Sequence, residues 1–378
     1  MNKELTRGDS FDINSSLAIK GCVIILMMMH HLFRAPSLYK SYDINFFFFT
    51  EEFISTLFTY FKLCVGTFAF ISGYALAKSY SKRSAETDTG RFIAHRLTKT
   101  LLSFQLVYLI VLAVSWAINA LPYRTYFEGR SVVMGILNML ADMFGVQALF
   151  GTPSLDSSWW YMSAAITFIL IVPLLSIAVK KLGWLAPTLA VVLIPRLLSV
   201  GFLGGTAPLS FIFSALLGVI FHRYDLFSFF GRIRIRFFGK RVIEEILTFL
   251  AFAGAVVLGY HIYDVAELKY FYEICYGLVP LSFILFANRY IAKIPYLRGV
   301  LIFFGKHSAN MFFIHTVIRS YLTDFIYRQH NFLISIVIFI ALSLLGSVLI
   351  ELFKKLIRFD RLTKLIISRL EPPAKEIT

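Results

Sequence analysis

Long apolar runs separated by short polar connections set the pattern of this chain from residue 17 onward. A helix needs about 20 apolar residues to cross a bilayer core of about 30 Å. On that measure the chain divides into about ten spans, at 17–34, 54–77, 98–120, 158–179, 183–200, 207–222, 243–263, 270–290, 299–325 and 332–357. The fifth and sixth are short and interrupted by Pro187, Pro195 and Pro208, which predicts tilted, kinked or partly re-entrant segments. The expected fold is all-α and polytopic, with residues 1–378 forming a single transmembrane domain, since neither a repeat nor a linker sets off a second unit. The first run is broken by Lys20 and His31 and lacks a small-residue cleavage site. It is therefore expected to stay as a span and not to be removed as a signal peptide.

Composition identifies the solvent as lipid. The chain is 58% hydrophobic, 17% aromatic and 16% charged, with a mean hydropathy of +0.73. A net charge of +15 would point a soluble protein toward nucleic acid. Here the basic residues fall between apolar runs, as the positive-inside bias requires, so the charge reports topology and no nucleic-acid partner is expected. Lys78, Lys82, Arg83, Arg91, Arg96 and Lys99 follow the second span, Lys180 and Lys181 the fourth, and "GRIRIRFFGKR" the sixth. Arg289, Lys293 and Arg298 follow the eighth, and "KKLIRFDRLTK" ends the tenth. These loops are placed inside, which puts both termini in the cytoplasm of a multi-pass plasma-membrane protein. Outer connections carry Glu51 and Glu52, Asp142 and Asp156, then Asp264 and Glu267. The longest outer connection, 121–157, is of a length often reserved for function. Cys22, Cys64 and Cys275 lie singly in apolar runs, so neither disulfides nor a metal site is expected.

The first span raises a chemical question. Lys20 and His31 are three helical turns apart, on nearly one face and separated by roughly 16 Å of rise. A lysine can snorkel to the interface. An intramembrane histidine has no such route and points to function, with a histidine satisfied by a neighbouring helix as the plain alternative.

That spacing, in "KGCVIILMMMHH", resembles the first helix of the acyltransferase 3 family of integral-membrane acyltransferases, whose signature is an Arg followed after ten residues by a His. Lys20 stands in the Arg position and His31, not His30, in the His position. "FAFISGYALAKSYSKR" (68–83) resembles the family's Phe-rich Ser-Gly-aromatic segment, and "RFIAHRLTKTL" (91–101) its basic stretch, with Arg96 and Lys99 in place of paired arginines. "SSWWYMSAAITFILIVP" is similar to its Trp-containing helix, and "GKHSANMFFIHTVI" (305–318) to its late Gly-Lys-x-Ser run ending in His. The resemblance spans about 15–320. Two departures stand out. Lys20 keeps the charge but loses the planar fork of Arg, and a Glu pair common in the family is replaced by Ala165 and Ile166.

The resemblance implies an O-acetyltransferase-like activity. It would move an acetyl or other acyl group from cytoplasmic acyl-CoA, a donor substrate and not a bound cofactor, to a hydroxyl of a glycan or lipid-linked sugar. Lys20, Arg91, Arg96 and Lys99, helped by Lys82 and Arg83, would face the donor's phosphates, with positive-inside anchoring as the plain reading. His31 would be the general base or an acyl relay. Oxyanion donors could come from Ser72, Tyr161, Ser308 or Asn310. His315, one turn before Arg319, has a supporting or a packing role. Trp159 and Trp160 suit an aromatic belt or a sugar-stacking platform. Glu51, Glu52, Asp142, Asp156 and Glu273 could hold the acceptor, or be solvated loop charges. Two other functions stay open at this level: a transporter or flippase for a lipid or polysaccharide precursor, and a catalytically inactive relative acting as an assembly partner.

Overall fold

The computed structural model describes residues 11–82, 89–198, 207–264 and 273–370; Arg83, Glu267 and the Asp264 side chain lie outside that description. The named elements of the described chain are all helical. The first four helices are α1 (Ile13–Phe33), α2 (Glu51–Tyr60), α3 (Leu63–Ser81) and α4 (Thr89–Asn119). The long outer connection folds into α5 (Leu121–Tyr126), α6 (Val132–Met143) and α7 (Gln147–Phe150). Then come α8 (Trp160–Leu182), α9 (Leu185–Leu197), α10 (Ile212–Arg223), α11 (Leu226–Gly231) and α12 (Arg241–Asp264). The last group is α13 (Val279–Arg289), α14 (Pro295–Tyr321), α15 (Thr323–Tyr327), α16 (Phe332–Leu356) and α17 (Phe359–Leu370).

Among the described residues, seven helical stretches are long and apolar enough to cross a membrane: 13–33, 51–81, 89–119, 157–182, 241–263, 274–293 and 332–356. This is a multi-pass membrane protein, and seven of the ten spans read from sequence meet that criterion. Three of the expected spans account for the difference. The α9 helix has 13 residues, with Pro195 inside it, and the stretch 208–223 is also short. The α14 helix has 27 residues but carries Lys306, His307, Asn310, His315 and Arg319. Several of its polar side chains turn inward, with Ser308, Asn310, His315 and Thr316 all buried while Lys306 is exposed, which is how polar positions are accommodated inside a bundle.

The core pair is α1 against α14, running parallel. Asp12 meets Arg298 at one end (3.6 Å), and the His31 and His315 rings meet toward the other. Two glycines permit the close approach. A Cβ on Gly21 would fall 1.8 Å from the Leu301 carbonyl oxygen, and one on Gly305 would fall 2.0 Å from that of Leu17. Small residues at a helix crossing supply the contact that drives association in lipid. Gly305→Ala is therefore expected to destabilise the protein by about 1–3 kcal/mol through overpacking. Gly254→Ala, which meets nothing within 4 Å, is expected to leave the melting temperature in detergent unchanged, apart from helix propensity. Equal melting temperatures for the two variants would refute this account of the crossing.

The α3 helix runs opposite to α1. Phe11, just before α1, packs its ring 5.0 Å from that of Tyr74 near the C-terminal end of α3, and His30 meets the carbonyl of Phe58 in α2 at the other end. The bundle thus has two ends, one near Lys20 and one just beyond His31.

Candidate functional site

The last carbonyls of a helix lack intrahelical partners, and at the end of α1 those of His31 and Leu32 find theirs on other helices. The Arg34 amide donates to the His30 carbonyl (3.1 Å), the Arg319 guanidinium to that of His31 (2.6 Å), and the Tyr327 hydroxyl to that of Leu32 (2.8 Å). A cation at this position also suits the negative end of the helix dipole. The backbone carrying the two histidines is thereby held from α14 and α15.

The two histidines then part company. His30 is buried, and its Nδ1–H donates to the Phe58 carbonyl at 2.7 Å, which ties α1 to α2. His31 is half-buried and has no hydrogen bond to any described residue through its ring. Its neighbour is His315 of α14, with ring centroids 4.8 Å apart and planes inclined by 62°. A carbonyl can only accept, so the 2.7 Å contact between His315 Nδ1 and the Phe312 carbonyl places the proton on Nδ1. That leaves Nε2 with its lone pair, fully buried and without a hydrogen-bond partner among the described residues. A buried acceptor left open is costly and asks for an explanation.

Behind His315 stands a polar network that the sequence reading missed. Asp156, expected as a solvated loop charge, is buried: its Oδ1 accepts from the Ser158 amide (2.7 Å) and hydroxyl (2.6 Å), and its Oδ2 from the hydroxyl of Thr316, next to His315. Ser154 bridges the Asp156 carbonyl (2.9 Å) to Asp142 Oδ1 (2.7 Å). Asp142 is buried too, and its Oδ2 accepts from the Tyr126 hydroxyl (2.5 Å) and the Leu155 amide (2.8 Å). Burial pushes the Asp142 carboxyl up to about 6, against the hydrogen bonds that favour its charged form. One signal was legible for Asp156, because Asp-Ser-Ser before a helix is an N-cap pattern, and Asp156 does cap the turn Ser157–Trp159. Nothing local marks Asp142.

The remaining candidates fall into three places. On the Lys20 side, Lys20 is half-buried, with no ion pair or hydrogen bond to a described residue. Arg96 donates to Ser79 at the C-terminal end of α3 and lies over the Phe92 ring, 5.6 Å from its centroid. Arg91 and Lys99 are exposed on α4. Since the end of α3 lies beside the start of α1, these cations share one end of the bundle with Lys20, and His31 sits toward the opposite end. In the interior, the Tyr161 hydroxyl lies close to Ser72 without an aligned hydrogen bond, and its ring is 5.2 Å from Phe312. The Ser308 hydroxyl donates back to the Gly305 carbonyl (2.8 Å). Asn310, considered above as an oxyanion donor, instead donates to Glu351 (2.7 Å) and accepts from Lys354 (3.1 Å).

Elsewhere, Trp159 does not belong to an interfacial belt. It is fully buried and donates from Nε1 to the Phe313 carbonyl (2.8 Å). Trp160 is half-buried beside Phe211, with ring centroids 5.5 Å apart. Glu273, a third carboxylate expected as an acceptor holder or a loop charge, is held by both Nη atoms of Arg196 at 2.6 Å. Only Glu51 and Glu52 are exposed as expected.

A family model described as an acyltransferase domain matches residues 14–352. Searches among curated proteins and among solved structures return no match.

Proposed function

The chain belongs to the acyltransferase 3 family, whose domain covers nearly its whole length, and from that membership we propose an O-acyltransferase of the plasma membrane. Its donor is cytoplasmic acyl-CoA, most simply acetyl-CoA, and its acceptor is a hydroxyl of a glycan or lipid-linked sugar. The observation that carries this reading is the His31–His315 pair. Two imidazoles 4.8 Å apart sit between α1 and α14, and one of them has an open buried acceptor nitrogen.

In this reading α9, α10 and α14 join the seven apolar stretches as membrane segments, making about ten with both termini cytoplasmic. The Lys20 end then faces the donor. Arg91, Arg96 and Lys99 hold CoA phosphates at the mouth, with Lys20 deeper on the path. From Lys20 to His31 is roughly 16 Å of helix rise, a distance that an extended pantetheine arm bridges. His31 takes the proton of the acceptor hydroxyl as its oxygen attacks the thioester carbonyl. The C–O bond forms, the C–S bond breaks, and the proton passes from His31 to the departing thiolate. Relay through an acyl-imidazole on His31 gives the same products in two steps. An acid-quenched single turnover that leaves acyl on the His31 peptide distinguishes the two.

The test is transfer of labelled acyl from acyl-CoA to envelope glycans by protein in nanodiscs. No transfer to any hydroxyl acceptor would sink the proposal. Arg96→Ala is expected to raise the donor KM about tenfold while changing kcat less than threefold, because a phosphate contact remote from the reacting carbon is made equally in ground and transition states. An unchanged donor KM would reduce Arg96 to a topology anchor.

A further inference from the structure

Just beyond His31 three cations converge from three elements. Arg34 follows α1, Lys62 lies between α2 and α3, and Arg319 is on the last turn of α14. Arg34 and Lys62 are close enough to act electrostatically on His30, and Arg34 and Arg319 on His31. Arg34 is exposed, whereas Lys62 and Arg319 are half-buried.

None of the three makes an ion pair with a described carboxylate. Among the described residues, Lys62 has the Tyr276 ring beneath it, 5.6 Å from nitrogen to centroid. Arg319 spends one Nη on the His31 carbonyl, and its other nitrogens bond no described residue. Asp156, a carboxylate that acts on it electrostatically, has its oxygens taken by Ser158 and Thr316. Glu51 and Glu52 are exposed at the start of α2, and Asp324 is bonded by Tyr42. Partly desolvated like charges repel one another and pay for lost hydration. A cluster of this kind, beside the reacting histidine and away from the donor end, is arranged for a negative charge that arrives with a ligand.

We propose that Arg34, Lys62 and Arg319 form an anion subsite, so that the acceptor hydroxyl belongs to a glycan carrying a carboxylate or phosphate near the acylated position. This rests on the acyltransferase reading for the identity of the ligand, and its test does not depend on turnover. Binding to protein in zwitterionic nanodiscs is measured for three probes: an oligogalacturonate, its fully methyl-esterified and hence neutral form, and a phosphorylated oligomannose. At low salt the acid is expected to bind at least tenfold tighter than its ester, with the advantage shrinking as salt screens it. The phosphorylated probe shows which anion is preferred.

In Arg34→Gln/Lys62→Gln the acid and ester are expected to bind within twofold of each other. Arg34→Lys/Lys62→Arg keeps the preference, and unchanged ester affinity in both doubles reports an intact fold. Equal binding of acid and ester to the native protein, or an acid preference that survives the neutral double variant, overturns the proposal. So does loss of the preference when phosphatidylglycerol is added to the nanodiscs, because the cluster would then be a lipid-headgroup anchor. Absence of CoA release with every acceptor would count against the acyltransferase reading while leaving the binding result to decide the subsite.

Discussion

His31→Ala is expected to lower kcat for acyl transfer by at least about a thousandfold, while His30→Ala stays within about threefold of the native rate. General-base catalysis by a placed imidazole contributes typically 10²–10⁴-fold, and a thousandfold is about 4 kcal/mol of barrier. The neighbouring histidine is an unusually close control. It has the same residue type on the same helix, yet its Nδ1–H is committed to the Phe58 carbonyl. Removing it takes away one hydrogen bond, about 1 kcal/mol of stability, and no group that faces a substrate. The measurement is steady-state CoA release with both substrates saturating, beside a melting curve for each variant. Equal losses from the two substitutions would mean that α1 packing, and not base chemistry, underlies the effect. Full activity in His31→Ala would remove the mechanism altogether.

That Lys20 shares a face with His31 and not with His30 was legible, because a helix turns 100° per residue. What could not be read is what that face meets. His315 lies 284 positions away, and its pairing with His31 depends on α1 and α14 running parallel through Gly21 and Gly305. No periodicity in either segment announces that crossing. The same reason explains the two buried aspartates. Asp156 is neutral to any local pattern beyond its cap, and its burial is decided by Thr316, which reaches it from α14. For α14 the sequence pattern read 299–325 as a span, while its polar residues keep it out of the seven stretches that qualify by length and apolarity. Ser308, Asn310 and His315 on it are buried against protein, a destination that a hydropathy scale for transfer to lipid does not describe.

His315→Ala is expected to lower kcat by about 10²–10³-fold with acceptor KM changed little, and His315→Phe to do the same. The argument turns on one nitrogen. With Nδ1–H fixed on the Phe312 carbonyl, Nε2 is an acceptor in a dry place with nothing to accept. Such a group is paid for at rest and is useful only when a donor arrives, either the acceptor hydroxyl or an imidazolium formed on His31. The buried Asp156 lies close enough to His315 to act on it electrostatically, so a positive charge arising on the pair in this low-dielectric core has an opposite charge near it. Phe is the informative substitution, because it refills the ring volume and keeps the contacts with Phe312 and Phe339 while removing both nitrogens. A packing role predicts near-native activity in His315→Phe and a loss only in Ala, where a cavity opens. A shared chemical role predicts loss in both, and a His31→Ala/His315→Phe double variant no slower than His31→Ala alone, since groups that act as one unit are not additive. Additive losses in that cycle would show two independent functions and separate His315 from the base.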